Sequence, residues 1–523
     1  MFCNRKHSTV LSFVRKAACA FFAFTVLFSL CSCTPAQKTA QYSVSDTPLE
    51  LSIFMHAWNS NGFDDSYAVF AEAQRLTNVS LKSTVSGMTT NSQQAYDIMM
   101  ASGHTADIIA YTSDEIEKSA LDGAIIPLNE LIDAYAPHIK AYLEQNKDIL
   151  YAITSYDGNI YSIPKIMNGD VAKGWMIRKD WLDKLGLAVP QTVEQYYAVL
   201  KAFKTQDPNG NGRSDEIPFF TRDVNTATTE LLSLFGVKTR WGLQNGRVTY
   251  GEYTPAYKEA MKSIAGWYQE GLIDREIFTR ASNARETLFE QNIGGSTHDW
   301  FTSTMSFNTK MQGKVDGFSL AAIAPPADIN GKVWEESSRA QLTGLGWAIS
   351  ATNEHPVETI KYFDFWFSEP GNRLINYGVE GVHYTLVDGK PVFKEELKSS
   401  NVPLPQLLSD YGIQINIGFV QDFAYEEQIM DTDTKAAVRM YQDNGYCMAQ
   451  FPSLTLSPQE QKVYSTKLAA IEAYIRDTAQ EWVLGGADID AAFDGYIQTL
   501  HDMGMDEVLA AYQAAYDRYI AAP

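Results

Sequence analysis

The chain has 523 residues, with 42 Lys and Arg against 63 Asp and Glu, a formal net charge of −21 and 12% aromatic residues. So acidic a protein is a poor partner for nucleic acid, or for anionic lipid held by charge alone. Its five cysteines are too scattered for a disulfide framework or a cysteine metal cluster.

The first residues read as a targeting segment. Arg5, Lys6, Arg15 and Lys16 make a positive start, and Ala17 to Leu30 is apolar but short for a membrane span. The run ends in Leu30-Cys31-Ser32-Cys33, which resembles the lipobox of bacterial lipoproteins. In that family the cysteine after a small residue is acylated and becomes the mature N-terminus. The resemblance implies a leader over 1–32, a lipid on Cys33 and a polar tether over 33–46. An ordinary secretory signal is the alternative. Cys3, Cys19 and Cys31 would go with the leader, leaving Cys447 with no other cysteine to pair with.

Leu49 to Phe54 is an apolar run that reads as the first strand. Phe63 to Leu76 has the spacing of an amphipathic helix, and Val79 to Val85 alternates as a strand does. Ser92 to Ala101 reads as a helix and Asp107 to Tyr111 as a short buried strand. Strands alternating with helices predict a mostly parallel sheet, hence α/β.

Thr192 to Phe203 reads as a helix, with Thr192 and Gln195 as a capping box and Val193, Tyr196, Tyr197, Leu200 and Phe203 on one apolar face. It leads into the most chemically pointed stretch of the chain, Asp207 to Pro218. Side-chain oxygens recur at Asp207, Asn209, Asn211 and Asp215, with Gly212 at the sixth place and the carbonyl of Arg213 at the seventh. Alternating oxygens around a glycine turn are how a short loop wraps calcium. The twelfth place holds Pro218 where a bidentate Glu is usual, so Glu216 at the tenth is the candidate for the missing carboxylate. A site at the end of a packed helix, with no open position, would be structural. The alternative is an Asn-Gly surface turn that binds nothing.

The tail is helical. Ser457-Pro458-Gln459-Glu460 combines a capping box with proline in the first turn. That helix should stop near Gly485, a second should be capped by Asp488 and end near Gly504, and a third should run from about Asp506 to Ile520.

Several segments together resemble the carbohydrate group of solute-binding proteins of ABC importers. They are Ala101-Ser102-Gly103 leading to Asp107-Ile108-Ile109, then Asp157-Gly158-Asn159-Ile160-Tyr161-Ser162-Ile163-Pro164, then Trp175 to Leu187 followed by Pro190. Trp267 to Asp274, Gly346 to Ser350 before His355-Pro356, and Tyr377 to Gly381 follow in order. The calcium-like loop resembles that of a larger subgroup that includes alginate-binding proteins. The resemblance implies a two-lobed periplasmic-binding-protein fold with crossing hinge strands and a helical C-terminal extension. The chain would cross near residue 174, return near 316 and cross again near 378. The first lobe would be 47–174 plus 317–378, and the second 175–316 plus 379–523 with the calcium loop and terminal helices.

The same resemblance implies a monomer, anchored outside a bacterial membrane, that binds an oligosaccharide between its lobes and passes it to permease subunits. A sugar cleft needs flat aromatic faces and planar polar groups. Trp300 stands where the resembled family stacks a tryptophan on sugar. Trp175 lies at the expected first crossing and Trp58 in the loop after the first strand. Glu380 and Tyr384 follow the third crossing, with hinge structure as their alternative role. Arg178 is a candidate for a ligand carboxylate, against an ion pair with Asp180 or Asp183. No HExxH, GxSxG or P-loop occurs. A secreted carbohydrate-active hydrolase stays open, because paired carboxylates suffice for that chemistry. So do an adhesin without a small ligand and a binding protein for a peptide or other non-sugar solute.

Overall fold

The computed structural model describes residues 42–57, 62–169, 171–222, 224–280, 283–336 and 339–521. Two sheets organise them. In chain order the strands are β1 (Leu49–Met55), β2 (Val79–Ser83), β3 (Ile108–Thr112), β4 (Ile163–Ile166), β5 (Lys173–Arg178), β6 (Ile217–Phe219), β7 (Gly294–Trp300), β8 (Leu320–Ile323), β9 (Leu342–Ile349) and β10 (Phe419–Val420). The first sheet has the order β10-β4-β9-β3-β1-β2, with β1 parallel to both β2 and β3. The second has the order β8-β5-β7-β6. Each sheet carries its own core. Leu51, Ile53, Ile108, Ile163, Trp347 and Ile349 fill the first, with Ile360, Phe363 and Trp366 of a covering helix. Trp175, Ile177, Tyr196, Leu200, Phe203 and Phe219 centre the second.

The early elements form where the periodicity puts them, with one exception. The helix expected from Phe63 begins at Ala68. Asp64 takes the backbone N–H of Ser66 at 2.8 Å and its hydroxyl at 2.6 Å, a local turn that competes with the first helical bonds. Helix α1 (Val193–Thr205) is capped by Thr192, whose hydroxyl accepts from Gln195 N at 3.3 Å. Its box is incomplete, because Gln195 reaches past Thr192 to the N–H of Gln191.

The tail folds as three helices, α2 (Pro458–Leu484), α3 (Ile489–Asp502) and α4 (Met505–Ala521). Ser457 and Glu460 make the full reciprocal capping box, a device worth about 1 kcal/mol for the Ser side chain alone. Leu468, Ile471, Trp482, Phe493, Leu500 and Val508 of these helices join the second core.

The pairing differs from the expected segment boundaries in two places. Leu320–Ile323, expected with the first lobe, pairs antiparallel with β5 in the second sheet. The stretch after residue 378, expected with the second lobe, packs into the first core. Tyr384, Phe393, Leu408, Ile417 and Tyr425 are buried there, and β10 adds to the edge of β4. Tyr377 holds this stretch, its ring centroid 6.0 Å from Tyr384 and 5.6 Å from Phe393. The chain therefore passes between the sheets over 167–172, 324–341 and the stretch after Tyr425, not near 378.

Candidate functional site

Topology sets two strand edges against each other. Strand β9 runs antiparallel to both β3 and β4, so β1, β3 and β4 end on one edge of the first sheet. The chain leaves that edge at Ile166 and enters the second sheet at Lys173, which pairs with Trp300 at the C-terminal end of β7. The carboxyl ends of strands on both sides thus open onto one crossing, the usual place for a ligand in an open α/β sheet.

On the first side lies a cavity of about 890 Å³. Met55, Ala110 and Leu345 floor it, and Asp64, Asp65, Asp410, Gln414 and Asn416 supply polar groups. A pocket of this size suits a small-molecule ligand.

On the second side stands Trp300. It is the exposed tryptophan among the described residues, at 39%. Lys173 Nζ lies 5.8 Å from its ring centroid. Buried Asp299 fixes its backbone, accepting from Trp300 N at 2.7 Å, from Arg222 Nε at 2.9 Å and from the Thr304 hydroxyl at 3.1 Å. Behind it runs a buried ionic chain. Lys173 meets Glu230 at 2.9 Å, Glu230 meets His298 Nδ1, and His298 Nε2 meets Glu335 of the crossing segment at 3.0 Å. Burial alone would push the His298 imidazole down, but the Glu335 and Glu230 charges raise it to about 10, so it is a cation. Sequence reasoning missed these partners. The only signal for them was His298-Asp299 beside Trp300, and pairing across 68 residues leaves no local pattern.

The other expected contacts fare differently. Trp175 is fully buried in the second core, edge-on to Tyr196 at 5.3 Å, and offers no face to a ligand. β-Strand alternation put it inward, because the strand is covered on that face by α1. Arg178 is buried and bound to Asp180 at 2.6 Å, between the rings of Trp181 and Phe318, so it is structural. Tyr384 is buried in the first core, while Glu380 is exposed beside it. Trp58 and Cys33 lie outside the described residues.

The loop after α1 is the stretch that the oxygen spacing singled out. Asp207, Gly210 and Gly212 take left-handed backbone angles, φ 48°, 73° and 73°, which turn the chain back on itself. Asn209 and Asn211 each donate Nδ2 to Asp215 at 3.1 Å, amide donors standing where a cation would sit. Glu216 is the telling residue. It is 1% exposed, and among the described residues neither carboxylate oxygen has a hydrogen-bond partner. Burial, then the neighbouring Asp215 and Asp207 charges, raise its pKa. An unpartnered buried carboxylate is costly by several kcal/mol unless something positive meets it. No three His, Cys, Asp or Glu groups among the described residues converge at metal distance, so the amides and the Arg213 carbonyl would have to complete any sphere.

The profile of the bacterial extracellular solute-binding proteins matches residues 66–373. The chain belongs to that family. Its members bind solutes rather than transform them, so the hydrolase alternative falls. The fructooligosaccharide ABC transporter substrate-binding protein FusA of Streptococcus pneumoniae is 28% identical over 442 residues, covering 77% of each chain. Lipoprotein LipO of Bacillus subtilis is 25% identical over 445 residues, covering 80% of this chain and 83% of LipO. Among solved structures, the alginate-binding protein AlgQ2 without calcium ion is 42% identical, with a TM-score of 0.75, covering 91% of this chain and 99% of AlgQ2. A FusA EF-hand mutant with fructo-nystose superposes with a TM-score of 0.68 at 23% identity, over 90% of this chain and 99% of that one. The fold is thus the mixed α/β periplasmic-binding-protein type with terminal helices. No helix among the described residues is long and apolar enough to cross a membrane.

Proposed function

We propose that this protein is the lipid-anchored, extracytoplasmic solute-binding component of an ABC importer, and that its solute is an oligosaccharide. The observation that carries the reading is Trp300, an exposed indole at the end of a strand, paired with Lys173 where the chain enters the second sheet. An indole face packs on the C–H face of a sugar ring, and the Asp and amide groups opposite meet its hydroxyls. AlgQ2 and FusA, by their names, bind saccharides.

In mechanism, each sheet with its core is one lobe, and the connecting segments 167–172, 324–341 and the stretch after Tyr425 are the hinge. Ligand held by both faces favours the closed form, and closure is what permease subunits sense. The protein acts as a monomer. Small-angle scattering tests this. Adding a saccharide that raises the melting temperature should shrink the radius of gyration. A ligand-induced stabilisation with no compaction counts against closure.

Calcium fits the loop after α1. Asp207, Asn209, Asn211, Asp215, the carbonyl of Arg213 and Glu216 would hold it, and it would supply the positive charge that Glu216 lacks. AlgQ2 was solved without calcium ion and FusA has an EF-hand mutant, which supports the same reading.

Cys33 carries the lipid. Similarity to lipoprotein LipO supports this. Cys33→Ala should release the protein to the medium or leave its leader uncleaved, seen by fractionation and intact mass. Unchanged fractionation and mass refute it.

A further inference from the structure

The charges at the two strand edges narrow the solute further. Resting on the oligosaccharide reading, we infer that the bound saccharide is uncharged and that uronate chains are rejected. No Lys, Arg or His lines the cavity of the first side, whereas Asp64, Asp65 and Asp410 do. Ionised carboxylates only accept hydrogen bonds. They suit sugar hydroxyls, which donate, and they repel a uronate group, which also only accepts. Asp65 has Lys82 as its counter-ion, so the refusal falls to Asp64 and Asp410, whose like charge a uronate would meet uncompensated.

The cations nearby are already engaged. Lys82 pairs with Asp65. Lys173 is 2.9 Å from Glu230, and Arg222 and Arg285 share Asp299 at 2.8 and 3.2 Å. Arg339, on the crossing, holds Glu426 through Nη1 at 2.7 Å. Lys165 is buried and donates to the Gln414 carbonyl at 2.7 Å. A uronate would have to share a cation that a protein carboxylate already holds. The stretches of 42–521 outside the described residues contain no Lys or Arg in their sequence, so they add no free cation. The 42% identity to an alginate-binding protein would by itself suggest the opposite.

Calorimetry on the soluble mature chain, calcium-loaded, decides this. One arm uses uncharged fructo-, malto- and manno-tetraoses; the other uses tetramers of mannuronate, guluronate and galacturonate. The expected result is saturable binding of an uncharged tetraose. Its Kd should change less than about twofold between low salt and ~0.15 M, since no ionic contact is screened. The uronates should bind at least about a hundredfold more weakly. A uronate that binds as tightly as any uncharged tetraose, with affinity falling as salt rises, overturns the inference and leaves the oligosaccharide reading standing. Silence in both arms overturns that reading itself.

Discussion

Chelation of the protein purified without chelator is expected to lower its melting temperature, and calcium to restore it. A ligand that binds only the folded state adds about 2.7 kcal/mol at a hundredfold excess over its Kd. For a chain of this length each kcal/mol is about 1 °C, so the shift should be about 3 °C. Glu216→Gln separates a calcium site from a surface turn by sign. The variant keeps the side chain's shape and removes its charge. In the unpartnered environment of Glu216, losing that charge should leave the chelated variant at least as stable as the chelated parent. The rise on adding calcium should shrink strongly, because the sphere has lost a carboxylate. A variant with an undiminished calcium response, or parent protein in which metal analysis finds no calcium, removes the assignment.

The loop was legible in the sequence because its chemistry is local. The turn residues Asp207, Gly210 and Gly212 sit close together in the chain and take the left-handed angles that such a turn needs. The capping box at Ser457 and the αL stop at Gly485 are local in the same sense, and they form. The late start of the helix at Ala68 and the incomplete box at Thr192 are local misses, and the larger failures are long-range. Nothing near Leu320 announces that it will pair with Arg178, and nothing near Tyr384 announces that it will pack on Tyr377. Trp175 and Trp300 look alike as residues. One is buried and the other exposed because they stand at different points along two paired strands: Trp175 faces His298 inside the sheet, and Trp300 is the last residue of its strand. The ionic chain from Lys173 through Glu230 and His298 to Glu335 joins residues from four distant segments, and only the fold brings them together.

Trp300→Ala is expected to weaken saccharide binding by at least about tenfold, about 1.4 kcal/mol, with little change in melting temperature. The two expectations come from the same geometry. Sugar hydroxyls gain little net energy in exchanging water for protein partners, so a flat apolar face has to carry much of the affinity. In the proposed reading Trp300 is that face, and its exposure means that its removal opens no core cavity. Its backbone place is held by Asp299 rather than by its own ring, so neighbouring groups should stay where they are. Trp175→Ala is the control. It empties a fully buried site beside Tyr196 and should cost about 3–5 kcal/mol of stability. Titration of the folded variants by calorimetry, with tryptophan emission followed in parallel, checks both. Emission should shift on binding in the parent and respond less in Trp300→Ala. An unchanged Kd in Trp300→Ala would mean that the sugar lies wholly on the cavity side, and a loss of folding would mean that the exposed ring supports the strand end rather than the ligand.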